Sequence, residues 1–223
     1  MLLHNLGAEN LAQGQDLSVT EFTLPRFALV NTARGLLDRP PQEYGNPYYK
    51  LLGFESSSKL LQAIEGKRVL DLGSGKGIFA RDVILSGVDA EVHSLNPSLL
   101  VPCVKEEMHI QVAQMFSLDQ ASFTDLESTF NQRVILSNWD NIDCPADYFD
   151  IVLSNHAFPI YCVSEAELLT VITELNRVCK ESSELRFYPV PNLYKETLIS
   201  EFEKCGFQNF DLGFQHLSAF KRL

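Results

Sequence analysis

Val69-Leu70-Asp71-Leu72-Gly73-Ser74-Gly75-Lys76-Gly77 is the stretch on which the fold turns. An apolar run interrupted only by Asp71 stops at three alternate glycines, and Ile78 to Leu85 then carries apolar residues at helical spacing. The pattern predicts a buried strand, a tight loop and a helix. Glycines at such a junction let the backbone approach a ligand closely and tolerate positive φ. The carboxyl edge of a strand is also where doubly wound sheets bind their ligands.

Working outward, the same rhythm repeats. Ala90 to Leu95 reads as a second strand, and Pro97-Ser98 starts a helix running towards Met115. Arg133 to Ser137 and Tyr148 to Ser154 are two more strand-like runs. Ser164 to Lys180 has a Ser N-cap with Glu three residues on, an apolar stripe and a basic last turn, which predicts a helix. Glu184 to Val190 is a strand closed by prolines, Leu193 to Cys205 a helix ended by Gly206, and Phe207 to Arg222 two strands around Gly213. Strands alternating with helices imply a parallel sheet covered on both faces by right-handed crossovers. The last two strands lack a helix between them, so a hairpin with an antiparallel strand is expected at the sheet edge. The prediction is an α/β, doubly wound, seven-stranded, mostly parallel sheet with an antiparallel edge strand and helices on both faces.

Residues 1–55 do not follow this rhythm and are read as an N-terminal extension, with the domain proper spanning 56–223. The stretch from Met115 to Gln132 is longer than an ordinary helix-to-strand connection, so an inserted helix or lid is expected around 116–131.

Composition narrows the function classes. The 223 residues carry 18 Lys+Arg against 29 Asp+Glu, a net charge of -11, so no broad field favours phosphate polymers and nucleic acid is an unlikely partner. At this length roughly 70% of the unfolded surface can be buried, and no disulfide or metal staple is required. The five cysteines (Cys103, Cys144, Cys162, Cys179 and Cys205) are scattered, without a CxxC pair or zinc-type spacing, so no metal is expected. The opening residues lack a basic n-region and a signal-length apolar run, and no stretch is apolar over about 18 residues. A cytoplasmic protein with reduced thiols and no membrane span is expected.

Three nucleotide-binding readings compete for the glycine loop. A Walker P-loop requires GxxxxGK followed by Ser or Thr, whereas Lys76 is followed by Gly77, and that reading fails. Gly75-Lys76-Gly77-Ile78-Phe79-Ala80 satisfies GxGxxA, which leaves a nicotinamide-dependent oxidoreductase formally open. Asp71, however, would repel a pyrophosphate and suits a ligand carrying positive charge.

With its hydrophobic-Asp-x-Gly-x-Gly-x-Gly pattern, VLDLGSGKG resembles the first motif of the class I S-adenosylmethionine-dependent methyltransferases, which have a Rossmann-like fold. The resemblance covers about residues 56 to 223. It implies S-adenosyl-L-methionine as cofactor, with Gly73, Ser74, Gly75 and Gly77 wrapped around its methionine part and Asp71 near its ammonium. The family places an acid at the end of the second strand, about 20 residues past the loop, to accept the ribose hydroxyls. Here Asn96 stands in that place, a weaker neutral acceptor, and Asn96-Pro97 reads equally well as a turn and helix start. The stretch NWDNIDCPAD resembles the family's acidic loop before the fourth strand, which implies that Asp140 accepts from the adenine amino group and Trp139 packs near the ring; the alternative is a solvated acidic turn with Trp139 in the core. FDIVLSNHAFPIY resembles the fourth motif, in which Asp150 is structural while Asn155 and His156 face cofactor and substrate. His156 is the candidate general base, needed only where the acceptor must lose a proton on attack; the competing reading is a histidine that caps or packs in the loop. Asn155 is followed by His-Ala-Phe, unlike the Asn/Asp-Pro-Pro-aromatic box of the amino-methylating nucleic-acid enzymes. Asn46-Pro47-Tyr48-Tyr49 only superficially resembles that box and is read as a turn that places Tyr44, Tyr48 or Tyr49 over the pocket or in the core.

The leading expectation is a methyltransferase acting on a small-molecule or protein acceptor. The alternative, motivated by Asn96, is a methyltransferase-like binding or scaffold protein without catalysis.

Overall fold

A computed structural model describes residues 49, 52–100, 110, 112–113, 116, 118–212 and 216–222. Most of the expected N-terminal extension, Tyr44 and Tyr48 included, lies outside the described residues, as do most of the run from residue 101 towards Met115, Cys103 and the turn at Gly213.

The strand order follows from short apolar runs linked by crossovers. β1 (Arg68–Leu72), β2 (Glu91–Leu95), β3 (Val134–Ile135), β4 (Phe149–Asn155), β5 (Cys179–Tyr188), β6 (Phe207–Asp211) and β7 (Leu217–Lys221) form one sheet in the order β3-β2-β1-β4-β5-β7-β6. β3, β2, β1, β4 and β5 pair in parallel. The expected hairpin is present at the far edge, where β7 runs antiparallel to both β5 and the outermost strand β6. Two boundaries differ from those read in the sequence. The third strand shrinks to two residues because Leu136 onward leaves the ladder in turns, and the fifth begins at Cys179, with a register irregularity against Phe149 and Ile151 that absorbs the polar residues Lys180 to Ser183. Pro97 starts a short 3-10 turn, Pro97–Leu100.

Helices cover both faces. α1 (Ser57–Ile64), α2 (Ile78–Ser86) and α3 (Gln120–Asn131) share one apolar cluster that includes Leu60, Ile64, Ile78, Phe79, Val83, Phe123, Leu126 and Phe130 against Val69, Val92, Ile151 and Leu153 of the sheet. Tyr49 packs against the edge of this cluster. α4 (Glu165–Val178) and α5 (Asn192–Lys204) cover the other face, above a second cluster built on Leu70, Leu72, Val152, Leu185 and Phe187. Alternation along β1 explains the division: Val69 looks to one face, Leu70 and Leu72 to the other. α4 forms as its sequence dictates. Ser164 accepts from the Glu167 amide at 3.1 Å, and Leu168, Val171, Ile172, Leu175 and Val178 make one buried stripe. Asp150 accepts from the Arg68 amide and from Lys180 Nζ, each at 2.8 Å, so it fastens the amino end of the sheet and has a structural role. Among the described residues no helix is long and apolar enough to cross a membrane.

One charge sits badly in this scaffold. Asp82 of α2 is largely buried, one of its carboxylate oxygens has no hydrogen-bond partner, and desolvation pushes its pKa from 3.8 up to about 8. A folded-state pKa above the unfolded one means that the native chain holds a proton the unfolded chain has released. The group's contribution is therefore most favourable below about pH 4 and is lost as pH rises towards about 8. Asp82→Asn is expected to raise stability at pH 8 by about 1–3 kcal/mol and to change it little at pH 4, as read from thermal unfolding at the two pH values.

Candidate functional site

The sheet order reverses beside β1: the chain leaves β1 for β2 on one side and returns from β3 to β4 on the other. The carboxyl ends of β1 and β4 therefore flank a topological switch point, where open α/β sheets bind ligands. Asp71, Gly73, Ser74, Gly75, Gly77, Asn96, Trp139, Asp140, Asn155 and His156 lie at the carboxyl ends of β1, β2 and β4 or on segments that leave the carboxyl ends of β1, β2, β3 and β4.

The loop after β1 is held in an unusual shape. Gly73, Gly75 and Gly77 have φ of 76°, 57° and 63°, while Ser74 and Lys76 between them keep ordinary negative φ. Alternation of this kind curls the backbone into a concavity of the sort that binds anions through amide groups. The carbonyls of residues 74 to 77 are all taken by donors of the protein. Ser74 O accepts from Gly77 N at 2.9 Å, Gly75 O from Asn96 Nδ2, Lys76 O from Arg81 Nη1, and Gly77 O from Arg81 N at 3.2 Å. Ser74 is itself spent on β2, donating its amide to Leu95 O at 3.1 Å. A side chain on two of the glycines would meet the protein: a Cβ on Gly73 would overlap that of Ala157, and one on Gly77 would overlap the Phe130 ring. Asp71 is buried at the end of β1, paired in register with Ser94 and Leu153.

Asn96 is placed beside the loop, and both ends of its amide are engaged by the protein. Nδ2 donates to Gly75 O and Oδ1 accepts from the Ser98 amide at 2.9 Å, and the residue is buried. It ties the end of β2 to the loop and starts the turn at Pro97, the turn-forming reading of Asn96-Pro97.

The ends of β4 and β5 meet on the other side of the switch point. Ser154 Oγ donates to Leu72 O at 3.0 Å and accepts from the Phe158 amide at 2.9 Å, fixing the β4 turn against β1. His156 has φ 59°, rare for a residue with a side chain, and is held there by its amide on Tyr188 O at 2.5 Å and by an edge contact with the Tyr188 ring at 5.1 Å. Its Nδ1 lies 2.8 Å from Asn155 Oδ1, and it is partly exposed. Asn155 is buried, and its Nδ2 has no partner among the described residues.

Trp139 and Asp140 part company. The indole of Trp139 belongs to the core, edge-on to Phe158 at 6.3 Å, with Nε1 donating to Glu167 Oε1 at 3.0 Å, while Asp140 is exposed on the loop. Glu167 also accepts from the Val163 amide at 2.6 Å, so Trp139 links the loop after β3 to the start of α4. Among the described residues no group of three His, Cys, Asp or Glu side chains is placed to hold a metal ion.

Sequence reasoning missed Arg81, Glu127 and Phe130. The guanidinium of Arg81 pairs with both carboxylate oxygens of Glu127, one contact measuring 2.8 Å, and lies 3.5 Å from the centroid of the Phe130 ring. Arg81 and Glu127 are 4% and 7% exposed, so this is a buried ion pair against the loop. A signal was available: Glu127 falls on the apolar stripe Phe123, Leu126, Phe130 of its helix, where a charge needs a partner.

The sequence matches no family profile and no curated protein. Solved structures do match. A "putative O-methyltransferase" from Nostoc punctiforme shares 16% identity over 99% of this chain and 70% of its own, with a TM-score of 0.58. A "putative S-adenosyl-L-methionine-dependent methyltransferase" from Methanococcus maripaludis shares 12% identity over 94% and 96% of the two chains, with a TM-score of 0.54. The cyclase SpnF shares 14% over 87% and 74%, with a TM-score of 0.51. The fold is that of the class I S-adenosylmethionine-dependent methyltransferases.

Two substitutions check the loop. Gly77→Ala combines positive φ with overlap on Phe130 and is expected to lower stability by about 2–4 kcal/mol in denaturant unfolding. Asn96→Asp sets a carboxylate oxygen against Gly75 O in place of a donor. A loss of about 1–3 kcal/mol is expected at pH 7 in denaturant unfolding.

Proposed function

We propose that this chain is an S-adenosylmethionine-dependent methyltransferase acting on a small-molecule or protein acceptor. The observation that carries the reading is the loop Gly73 to Gly77, with alternate left-handed glycines and its carbonyls from 74 to 77 engaged by the protein. Alternating left-handed residues of this kind favour an anion through backbone amides, which suits the carboxylate of the cofactor's methionine part. Asp71, at the strand end beneath it, contributes negative charge towards the ammonium and sulfonium. The methionine end of the site thus fits the cofactor. The ribose end is built differently, because Asn96 serves the loop, and the exposed Asp140 is the acid left to contact the adenosyl part.

The cofactor, when bound, supplies a methyl group on a positively charged sulfur. The chain's own work is to align the acceptor with that methyl and, for a protic acceptor, to take its proton. His156 is the residue for that step. With the Nδ1 proton directed at Asn155 Oδ1, its Nε2 keeps a lone pair for the acceptor, and the fixed backbone sets the ring's position at the switch point.

One observation favours the second reading, a binding or scaffold protein of this fold: the residue at the ribose position is buried, with both ends of its amide turned to partners within the protein. The fold alone does not choose, since a cyclase shares it. Thermal shift and calorimetric titration separate the two. S-adenosylmethionine and S-adenosylhomocysteine are expected to raise the unfolding temperature while NAD does not, and Gly75→Asp is expected to remove the effect. Absence of binding at millimolar ligand would leave the scaffold reading. With an acceptor in hand, His156→Ala is expected to lower methyl transfer by about a hundredfold or more with unchanged affinity for S-adenosylhomocysteine.

A further inference from the structure

The connection between β2 and β3 reaches back across α2 and fastens the glycine loop from outside. Three contacts do this. Glu127 of α3 holds the Arg81 guanidinium by both carboxylate oxygens, Arg81 Nη1 in turn donates to Lys76 O inside the loop, and the Phe130 ring lies under the guanidinium and fills the space that a Cβ on Gly77 would take. The pair is buried on both sides, although α3 also presents an apolar stripe that would dock without it. A buried ion pair is a weak device for stability, because the cost of removing both ions from water offsets their attraction. It is a strong device for fixing one arrangement. Here the arrangement fixed is that of a loop with three left-handed residues, whose Lys76 carbonyl would otherwise be a buried acceptor without this donor.

We propose that Glu127, Arg81 and Phe130 are positioning residues for the cofactor loop, so that α3 sets the affinity for the adenosyl ligand without touching it. This inference rests on the reading of the loop as the cofactor's methionine site. Arg81 has no equivalent replacement in Lys, which lacks the planar fork needed to serve Glu127 and Lys76 O together.

The test is calorimetric titration with S-adenosylhomocysteine of the full-length wild type and four variants. Glu127→Gln and Arg81→Lys break the clamp. The double variant Arg81→Met with Glu127→Leu removes both charges and keeps an apolar contact, so it folds even where a single change leaves one charge buried and unpaired. Val171→Ala trims the core under α4 on the opposite face and serves as the control for lost stability alone. The three clamp variants are expected to raise Kd at least about tenfold, and Val171→Ala to leave it within about twofold. Amide hydrogen exchange without ligand is expected to speed up across residues 73–78 in the clamp variants and not in the control. Wild-type binding with unchanged Kd and unchanged exchange in the clamp variants overturns the clamp and leaves the cofactor reading standing. A Kd change matched by Val171→Ala also overturns it. No binding by the wild type overturns the cofactor reading, and the clamp's effect on affinity falls with it.

Discussion

Backbone that turns left-handed three times in five residues cannot satisfy its carbonyls through a regular ladder, and each buried carbonyl must find a donor elsewhere. Much of the architecture around β1 follows from that requirement. Asn96 at the end of β2 supplies one donor, and Arg81 supplies two, one from its backbone and one from its side chain. A guanidinium drawn into the interior for this purpose then needs its own counter-charge, which comes from Glu127, and a flat surface, which comes from Phe130. The crossover from β2 to β3 thereby becomes part of the same construction as the loop between β1 and α2.

The opposite side of the switch point is built on a different principle. There the β4 turn is fixed by side-chain hydroxyl and backbone contacts: Ser154 bridges Leu72 O and the Phe158 amide, and the His156 amide reaches Tyr188 O. These bonds fix a partly exposed imidazole where the ends of β1, β4 and β5 meet, while Trp139 and Glu167 secure the neighbouring loop from within the core. One side of the switch point is thus a closed network of buried partners, and the other carries a partly exposed ring.

The sequence was legible where local chemistry decides the outcome. Glycine spacing after an apolar strand, the Ser164 cap with its apolar stripe, and the helix-free link between the last two strands each anticipated their element, and the sheet follows from them. It was less legible where one side chain chooses between partners that only the fold brings together. Asn96 stood where a ribose acceptor belongs, yet the nearest acceptor for its amide is Gly75 O, 21 residues away in sequence. For Trp139 the sequence left the adenine ring and the core both open, and the fold places the ring in the core with its N–H on Glu167. Arg81 and Glu127 lie 46 residues apart, and nothing local pairs them.

The sheet also separates two apolar clusters that share no residue, one under α1, α2 and α3 and the other under α4 and α5. Energetic coupling between substitutions decays when they share no contact partner. Changes to apolar side chains within one cluster are therefore expected to add to changes within the other, away from the contact of Gly73 with Ala157. Sequence drift that reshapes one can accumulate without compensation in the other, so a chain of this design can diverge in what its open side accepts while the closed side stays as it is.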